Sequence, residues 1–200
     1  MHKTDDYPGR KLHEIGPYIG KVRPALARQL VNDYSRLGDW VWDPFCGSGT
    51  VPLEARLLGR HVIASDVNPY ARVLTRAKLN APQSRAAGMA QLAVLATVTK
   101  IETENTADEA PNWVRAFFHE KTLSQTKALL AESLRRRRYF IAGCLLGILH
   151  HQRPGFLSYP ASHLVPYLRD NRFPRDRYPE AYEYRDPIPR LNQAVSQLSP

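Results

Sequence analysis

Gly38-Asp39-Trp40-Val41-Trp42-Asp43 runs directly into Pro44-Phe45-Cys46-Gly47-Ser48-Gly49-Thr50. The first six residues have the aromatic and β-branched content of a strand. They end in an acid, and a turn with two glycines one residue apart follows. Glycine adopts backbone conformations closed to other residues, so such a turn lets the main chain approach a ligand closely. A helix is expected from about Val51 to Leu58, with Pro52 in its first turn, where amides lack intrahelical partners, and Gly59 as its stop. Arg60-His61-Val62-Ile63-Ala64-Ser65-Asp66 then reads as a second strand, and Asn68 as the cap of a helix running from Pro69 to about Asn80. The order is β-α-β-α. A connection this short predicts parallel, adjacent strands joined by a right-handed crossover.

About twenty residues after the glycine turn, Asp66 closes the second strand, where a carboxylate can accept both hydroxyl hydrogens of a ribose. A dinucleotide site would require Gly-x-Gly-x-x-Gly, and Pro52 occupies the third glycine position. No Gly-Lys-Ser/Thr follows either, which excludes a phosphate-binding P-loop. What remains is an acid-led loop suited to a cationic, phosphate-free nucleoside.

The run Asp43 to Thr50, the helix after it, and Ala64-Ser65-Asp66-Val67-Asn68-Pro69 resemble motifs I and II of the S-adenosylmethionine (SAM) dependent N4-cytosine and N6-adenine DNA methyltransferases. Upstream, His13-Glu14-Ile15-Gly16-Pro17-Tyr18-Ile19-Gly20-Lys21 resembles the motif that precedes motif I in those enzymes and closes over the methionine end of SAM. Gly16 stands where that family often has histidine, which leaves Pro17 and Tyr18 as the contacts. The resemblance implies SAM as cofactor, with Asp43 facing its ammonium and Asp66 its ribose. Phe45, Cys46, Gly47, Gly49, Thr50, Val67 and Asn68 complete the implied cofactor site. The implied fold is a Rossmann-like α/β methyltransferase sheet, incomplete here, with a helical extension and a C-terminal arm rich in Pro, Tyr and Arg. The segment Arg153 to His163 is also similar to one found in DNA methylase-like proteins between the SAM half and the catalytic half.

Members of that family resemble one another in a second motif, Asp/Asn/Ser-Pro-Pro-aromatic. Its polar groups localise the lone pair of an exocyclic amine toward the methyl donor, and its aromatic ring stacks on a flipped base. The sequence has no Pro-Pro pair. Asn68-Pro69-Tyr70 reads as a helix cap, and Asp186-Pro187-Ile188-Pro189 lacks both the adjacent prolines and the aromatic residue, so the catalytic residues stay unassigned. Cytosine C5 chemistry needs a nucleophilic cysteine, usually after proline. Cys46 follows Phe45 and Cys144 follows Gly143, and Cys46 reads as a small packing residue of the loop. The implied substrate is an exocyclic amino group of a DNA base. RNA is the alternative, and a third reading is a non-catalytic SAM-binding half. In each case the catalytic half is expected in a downstream segment or a second chain.

The rest of the sequence bounds these expectations. Lys and Arg exceed Asp and Glu by enough to give a net charge of +9, which favours polyanionic partners. The two cysteines fit neither zinc-ligand spacing nor a disulfide framework, and no metal is expected at His150, His151 and His163. The N-terminus lacks the apolar core of a signal peptide, and the apolar run Tyr139 to Leu149 is shorter than the roughly 20 residues of a bilayer span. A cytoplasmic protein without membrane contact follows as the expectation.

Helical spacing is expected from Pro24 through Leu26, Leu30, Val31 and Tyr34 until Gly38. It is also expected from Ala87 to Ile101, and from Trp113 through Leu134, continuing across Arg135 to Arg138 into an apolar helix that ends near His150. Residues 102–110 read as a flexible loop, and 152–190 as an arm or long loop without regular elements; the tyrosines and arginines from Arg169 to Arg185 suit bases and phosphates, while the acids among them suit a plain surface arm equally well. Three regions result: the SAM-binding portion (1–82), a helical region with an acidic loop (83–151) and the arm (152–200).

Overall fold

A computed structural model describes residues 9–101, 110–149, 156–159 and 166–200. A 3-10 turn at Arg10–Glu14 leads through an extended strap into α1 (Pro24–Tyr34). Pro24 suits the first helical position because its fixed φ is already helical and its missing N–H would have had no partner. The helix stops at Ser35, whose hydroxyl donates to the Val31 carbonyl at 2.5 Å, so it ends before the expected Gly38. Its buried residues are Ala27 and Val31, whereas Leu26, Leu30 and Tyr34 stay exposed.

The strands β1 (Trp40–Asp43) and β2 (His61–Ala64) pair in parallel, Trp40 opposite His61 and Asp43 opposite Ala64, and α2 (Thr50–Leu57) connects them. This is the β-α-β unit anticipated from the spacing. After it comes α3 (Pro69–Leu79), capped as expected by Asn68, whose Oδ1 accepts the Tyr70 amide at 2.9 Å. Because the strands run in register, the loops after Asp43 and Ala64 leave the sheet side by side. Among the described residues these two strands form the sheet. One face, Val41, Asp43, Val62 and Ala64, is half-buried, while Trp40, Trp42, His61 and Ile63 lie exposed on the other.

The remaining elements are helical: α4 (Arg85–Ile101), α5 (Asn112–Arg115), α6 (Glu120–Arg135), α7 (Tyr139–Gly147), α8 (Pro166–Arg172) and α9 (Pro187–Leu198). The expected continuity across the arginine run is corrected. Arg137 adopts a left-handed φ of 56°, and the Arg138 amide turns back to the Ser133 carbonyl at 2.7 Å, which closes α6 and lets α7 leave in a new direction. Arg135 and Arg136 both bond Glu132 and so complement the end of α6. In α7, Phe140 to Leu145 are all buried, as expected for an apolar helix without a polar face.

The expected irregular arm is likewise corrected. Asp186 caps α9 by accepting the Ile188 amide at 2.9 Å, Pro187 starts it, and Leu191, Ala194 and Val195 form its buried stripe. Arg169 and Arg185 of this segment are spent internally, whereas Arg172, Arg175 and Arg177 stay exposed. Arg169 is 2% exposed, faces the rings of Tyr159 and Tyr182 at 5.3 and 5.6 Å, and donates to the Ala116 carbonyl at 2.6 Å. Arg185 donates to the carbonyls of Phe156 and Ser158. Residues 102–109, 150–155 and 160–165, with most of the acidic loop, His150, His151 and His163, lie outside the described residues.

One apolar core joins both parts of the chain: Leu12, Ile15, Leu53 and Leu74 from the amino-terminal elements pack with Leu129, Phe140, Leu145, Leu191 and Val195. The result is a mixed, helix-rich fold with a small parallel sheet. No described helix is long and apolar enough to cross a membrane.

Candidate cofactor-binding site

A cavity of about 520 Å³ opens at the carboxyl ends of β1 and β2. Ligands of open α/β sheets are held at this end because the loops that follow the strands converge there. Its wall includes seven of the expected residues: Tyr18, Asp43, Phe45, Cys46, Gly47, Thr50 and Asp66. Pro17, Gly49, Val67 and Asn68 do not line it, and each has a different place.

The glycine turn is held from both sides. The Cys46 amide donates to the Ser65 carbonyl at 3.0 Å and the Gly49 amide to the Cys46 carbonyl at 2.7 Å. Gly47 and Gly49 have φ of 48° and 79°, a region that favours glycine. A Cβ on Gly49 would come within 2.9 Å of the Thr75 Cα, so this glycine lets α3 approach the loop rather than exposing backbone to the cavity. A Cβ on Gly47 would meet the Tyr18 ring at 3.1 Å. Thr75 fastens the contact by donating to the Gly47 carbonyl at 3.1 Å.

Asp66 organises the second loop. Its Oδ2 accepts the Gly47 amide and its Oδ1 the Asn68 amide, both at 2.8 Å. Asp43 accepts the Phe45 amide at 3.2 Å. Burial raises the Asp43 carboxyl above its ordinary pKa; the Phe45 amide opposes this and the charge of Asp66 adds to it. Two acids at one cavity would both be relieved by a cationic ligand.

Polar and aromatic groups complete the wall. The Ser48 hydroxyl is buried without a hydrogen-bond partner among the described residues, an uncommon state for a buried polar atom and one that a polar ligand can relieve. Trp42 and Phe45 are exposed flat surfaces at the rim. Cys46 is buried, its sulfur 3.4 Å from the Thr75 hydroxyl, and burial pushes its thiol up, which fits the expected packing role. The groups available therefore suit a ligand with a cationic end, hydroxyls and an aromatic base. Among the described residues no group of His, Cys, Asp and Glu could hold a metal ion.

The segment before α1 forms a strap over the cavity. Tyr18 stacks on Tyr70 with centroids 6.2 Å apart, and the Tyr70 hydroxyl donates to the Pro17 carbonyl at 2.8 Å. Gly16 takes φ of 65°, and a Cβ there would sit 2.6 Å from Leu74 Cδ2 and 2.9 Å from the Tyr70 hydroxyl. Any side chain at that position would have to displace Leu74 and the Tyr70 hydroxyl and adopt a left-handed φ that favours glycine. Val67 is 94% exposed beyond Asp66, and Asn68 is occupied with its cap.

Six residues beyond those expected also line the cavity: Ser48, Val51, Trp42, Gly20, Val22 and Lys21. Ser48 and Val51 were legible, since they lie in or beside the glycine turn. Lys21 was not: a lysine in an extended segment has the signature of a solvated charge, yet its ammonium turns inward to the carbonyls of His13 and Gly16.

Comparison with known proteins agrees with this geometry. Residues 3–76 match the DNA methylase family N6_N4_Mtase. Type II methyltransferase M.MjaII of Methanocaldococcus jannaschii is 33% identical over 70 residues, which cover 35% of this chain and 13% of that protein. Type II methyltransferase M.MthZI of Methanothermobacter thermautotrophicus is 40% identical over 55 residues, 28% of this chain and 16% of that protein. The tRNA (guanine(10)-N2)-dimethyltransferase of the latter organism is 42% identical over 52 residues, 26% of this chain and 16% of that protein. No solved structure matches. Residues 3–76 are thus similar to a DNA methylase family, and the chain spans no more than 16% of the length of these relatives.

Proposed function

We propose that this chain supplies the SAM site of an amino-directed DNA methyltransferase, acting on adenine N6 or cytosine N4. The observation that carries the reading is the placement of Asp43 and Asp66 at one cavity, at the ends of paired parallel strands, with the Gly47 turn between them. Asp43 would hold the ammonium of SAM, Asp66 its ribose hydroxyls, and Trp42, Phe45 or Tyr18 its adenine face. Bound SAM would supply an electrophilic methyl group. The amine that receives it would be aligned by a Pro-Pro-aromatic motif, which a further segment or a second chain has to provide.

Two features support that division. The sequence has no Pro-Pro pair, and the sheet leaves Trp40, Trp42 and Ile63 exposed on one face, although parallel sheets are normally covered on both. In this reading the strand pair is part of an incomplete Rossmann-like sheet.

Titration calorimetry with SAM, and with NAD as a control, tests the cofactor reading. Saturable binding of SAM alone is expected; absence of SAM binding at millimolar concentration would overturn it. Labelled SAM offered with duplex DNA or with tRNA then separates substrates. A second reading, an RNA amino-methyltransferase, is favoured by the 42% identity to a tRNA-modifying enzyme. Turnover by this chain alone would refute the division into two halves.

A further inference from the structure

We propose that Lys21 is a positioning residue of the cofactor site, tying the strap of residues 15–23 so that Tyr18 is held against the Gly47 turn. Lys21 Nζ donates to the Gly16 carbonyl at 2.7 Å and to the His13 carbonyl at 3.1 Å, which draws the two ends of the strap together. Tyr18 lies between those ends. Its ring forms part of the cavity wall, and it approaches Gly47 so closely that a Cβ there would be 3.1 Å away.

Ile15 anchors the start of the strap in the apolar core, but after Tyr18 the strap has little apolar anchorage. Ile19 is fully exposed and Val22 is 41% exposed, so burial of apolar surface does not hold the segment between Tyr18 and α1. Gly16 and Gly20, with φ of 65° and 82°, bracket Tyr18 with two turns that other residues rarely adopt. Polar contacts therefore set the position: the Tyr70 hydroxyl on the Pro17 carbonyl, and the Lys21 ammonium on two others. Charge-assisted bonds of this kind are the stronger class, and losing the donor leaves two part-buried carbonyls to find water. Lys21 also lines the cavity, but both of its hydrogen bonds are directed to backbone, and the role proposed for it acts on a ligand through Tyr18. Partial burial lowers the pKa of its ammonium, with Glu14 opposing, as expected for a cation taken out of water to serve carbonyls.

The inference that a ligand senses the strap rests on the proposed SAM site; the tie itself does not, and the two are separated by measuring both. Hydrogen exchange of the ligand-free protein should show the amides of residues 14–20 exchanging about tenfold faster in Lys21→Met, as expected for loss of charge-assisted bonds. Exchange should be near wild type in Lys21→Arg, which keeps a charged donor. The thermal midpoint should stay close to wild type in both. SAM affinity by calorimetry should fall about tenfold in Lys21→Met and recover in Lys21→Arg. Unchanged exchange in Lys21→Met would overturn the tie. Faster exchange with unchanged SAM affinity would overturn the positioning role. If wild-type protein binds no SAM, the cofactor reading fails, and the exchange comparison alone decides whether Lys21 holds the strap.

Discussion

Asp66 Oδ2 accepts the backbone amide of Gly47 at 2.8 Å, so the acid of the second loop holds the glycine turn of the first. A carboxylate oxygen has two lone pairs, and each oxygen of Asp66 uses one on a backbone amide, leaving capacity for a ligand hydroxyl at each. In the proposed SAM site, structure and binding would therefore converge on one side chain. Asp66→Ala is expected to lower stability by about 1 to 3 kcal/mol through two unsatisfied amides, and to weaken SAM binding by at least as much. Urea unfolding and calorimetry measure the two separately. Weakened binding with unchanged stability would show that the loop does not depend on Asp66.

Gly47 and Gly49 look equivalent in sequence but differ in surroundings. At Gly49 an added Cβ would face the Thr75 Cα at 2.9 Å, and backbone cannot yield cheaply. At Gly47 it would face the edge of the Tyr18 ring at 3.1 Å, on a strap that can shift. Both positions also carry the cost of a positive φ, on the order of 1 kcal/mol. Gly49→Ala should therefore be the more destabilising of the two, by about 1 to 3 kcal/mol. Gly47→Ala should mainly reduce SAM affinity by moving Tyr18. Thermal melts of the pair, with SAM titrations, check the order.

How much of this was legible in the sequence follows from the range of each interaction. The β-α-β unit and the Asn68 cap were readable because strand composition, glycine turns and caps act within a few residues. The two acids were readable because Asp43 closes β1 and Asp66 follows β2 by two residues. Lys21, Glu54 and the Tyr70 to Pro17 bond join residues far apart in sequence, or turn a charge inward, and leave no local pattern. The packing of Arg169 on Tyr159 and Tyr182 was not readable for a related reason: composition cannot distinguish a surface arm from rings and guanidinium groups packed on one another. The break at Arg137 depends on a single left-handed residue that is not glycine.

Glu54 is fully buried on α2 and joins two elements that precede the sheet. Its Oε1 lies 2.7 Å from His13 Nε2, and its Oε2 accepts from Arg28 of α1 at 3.0 Å. Removing one partner of a buried ionic network typically costs about 3 to 5 kcal/mol. Glu54→Ala should fall in that range by urea unfolding. It should also speed amide exchange in residues 10–20, because His13 belongs to the turn from which the strap starts. Glu54→Gln preserves the shape and should cost less. Equal costs for the two variants would show that packing, not charge, fixes this corner.

Lys78 is 2% exposed on α3, and its ammonium nitrogen has no hydrogen-bond partner among the described residues. Burial first, and the charge of Lys21 second, bring its pKa down from 10.5 to about 7. An unfolded chain restores the ordinary value, so between about pH 7 and 10.5 the unfolded state binds more protons than the folded one, and stability rises with pH across that window. Below pH 7 both states are protonated and the penalty of the buried charge is fully present, on the order of 4 kcal/mol. Lys78→Met removes the charge and keeps an unbranched apolar chain of similar reach. It should therefore be more stable than wild type by several kcal/mol at pH 6, with the advantage shrinking steadily toward pH 10. Urea unfolding of both proteins at several pH values reads this, since titrating groups that do not interact with Lys78 cancel in the difference; Lys21, which does, adds to it. A difference that does not vary with pH would show that Lys78 carries no depressed pKa in the folded protein.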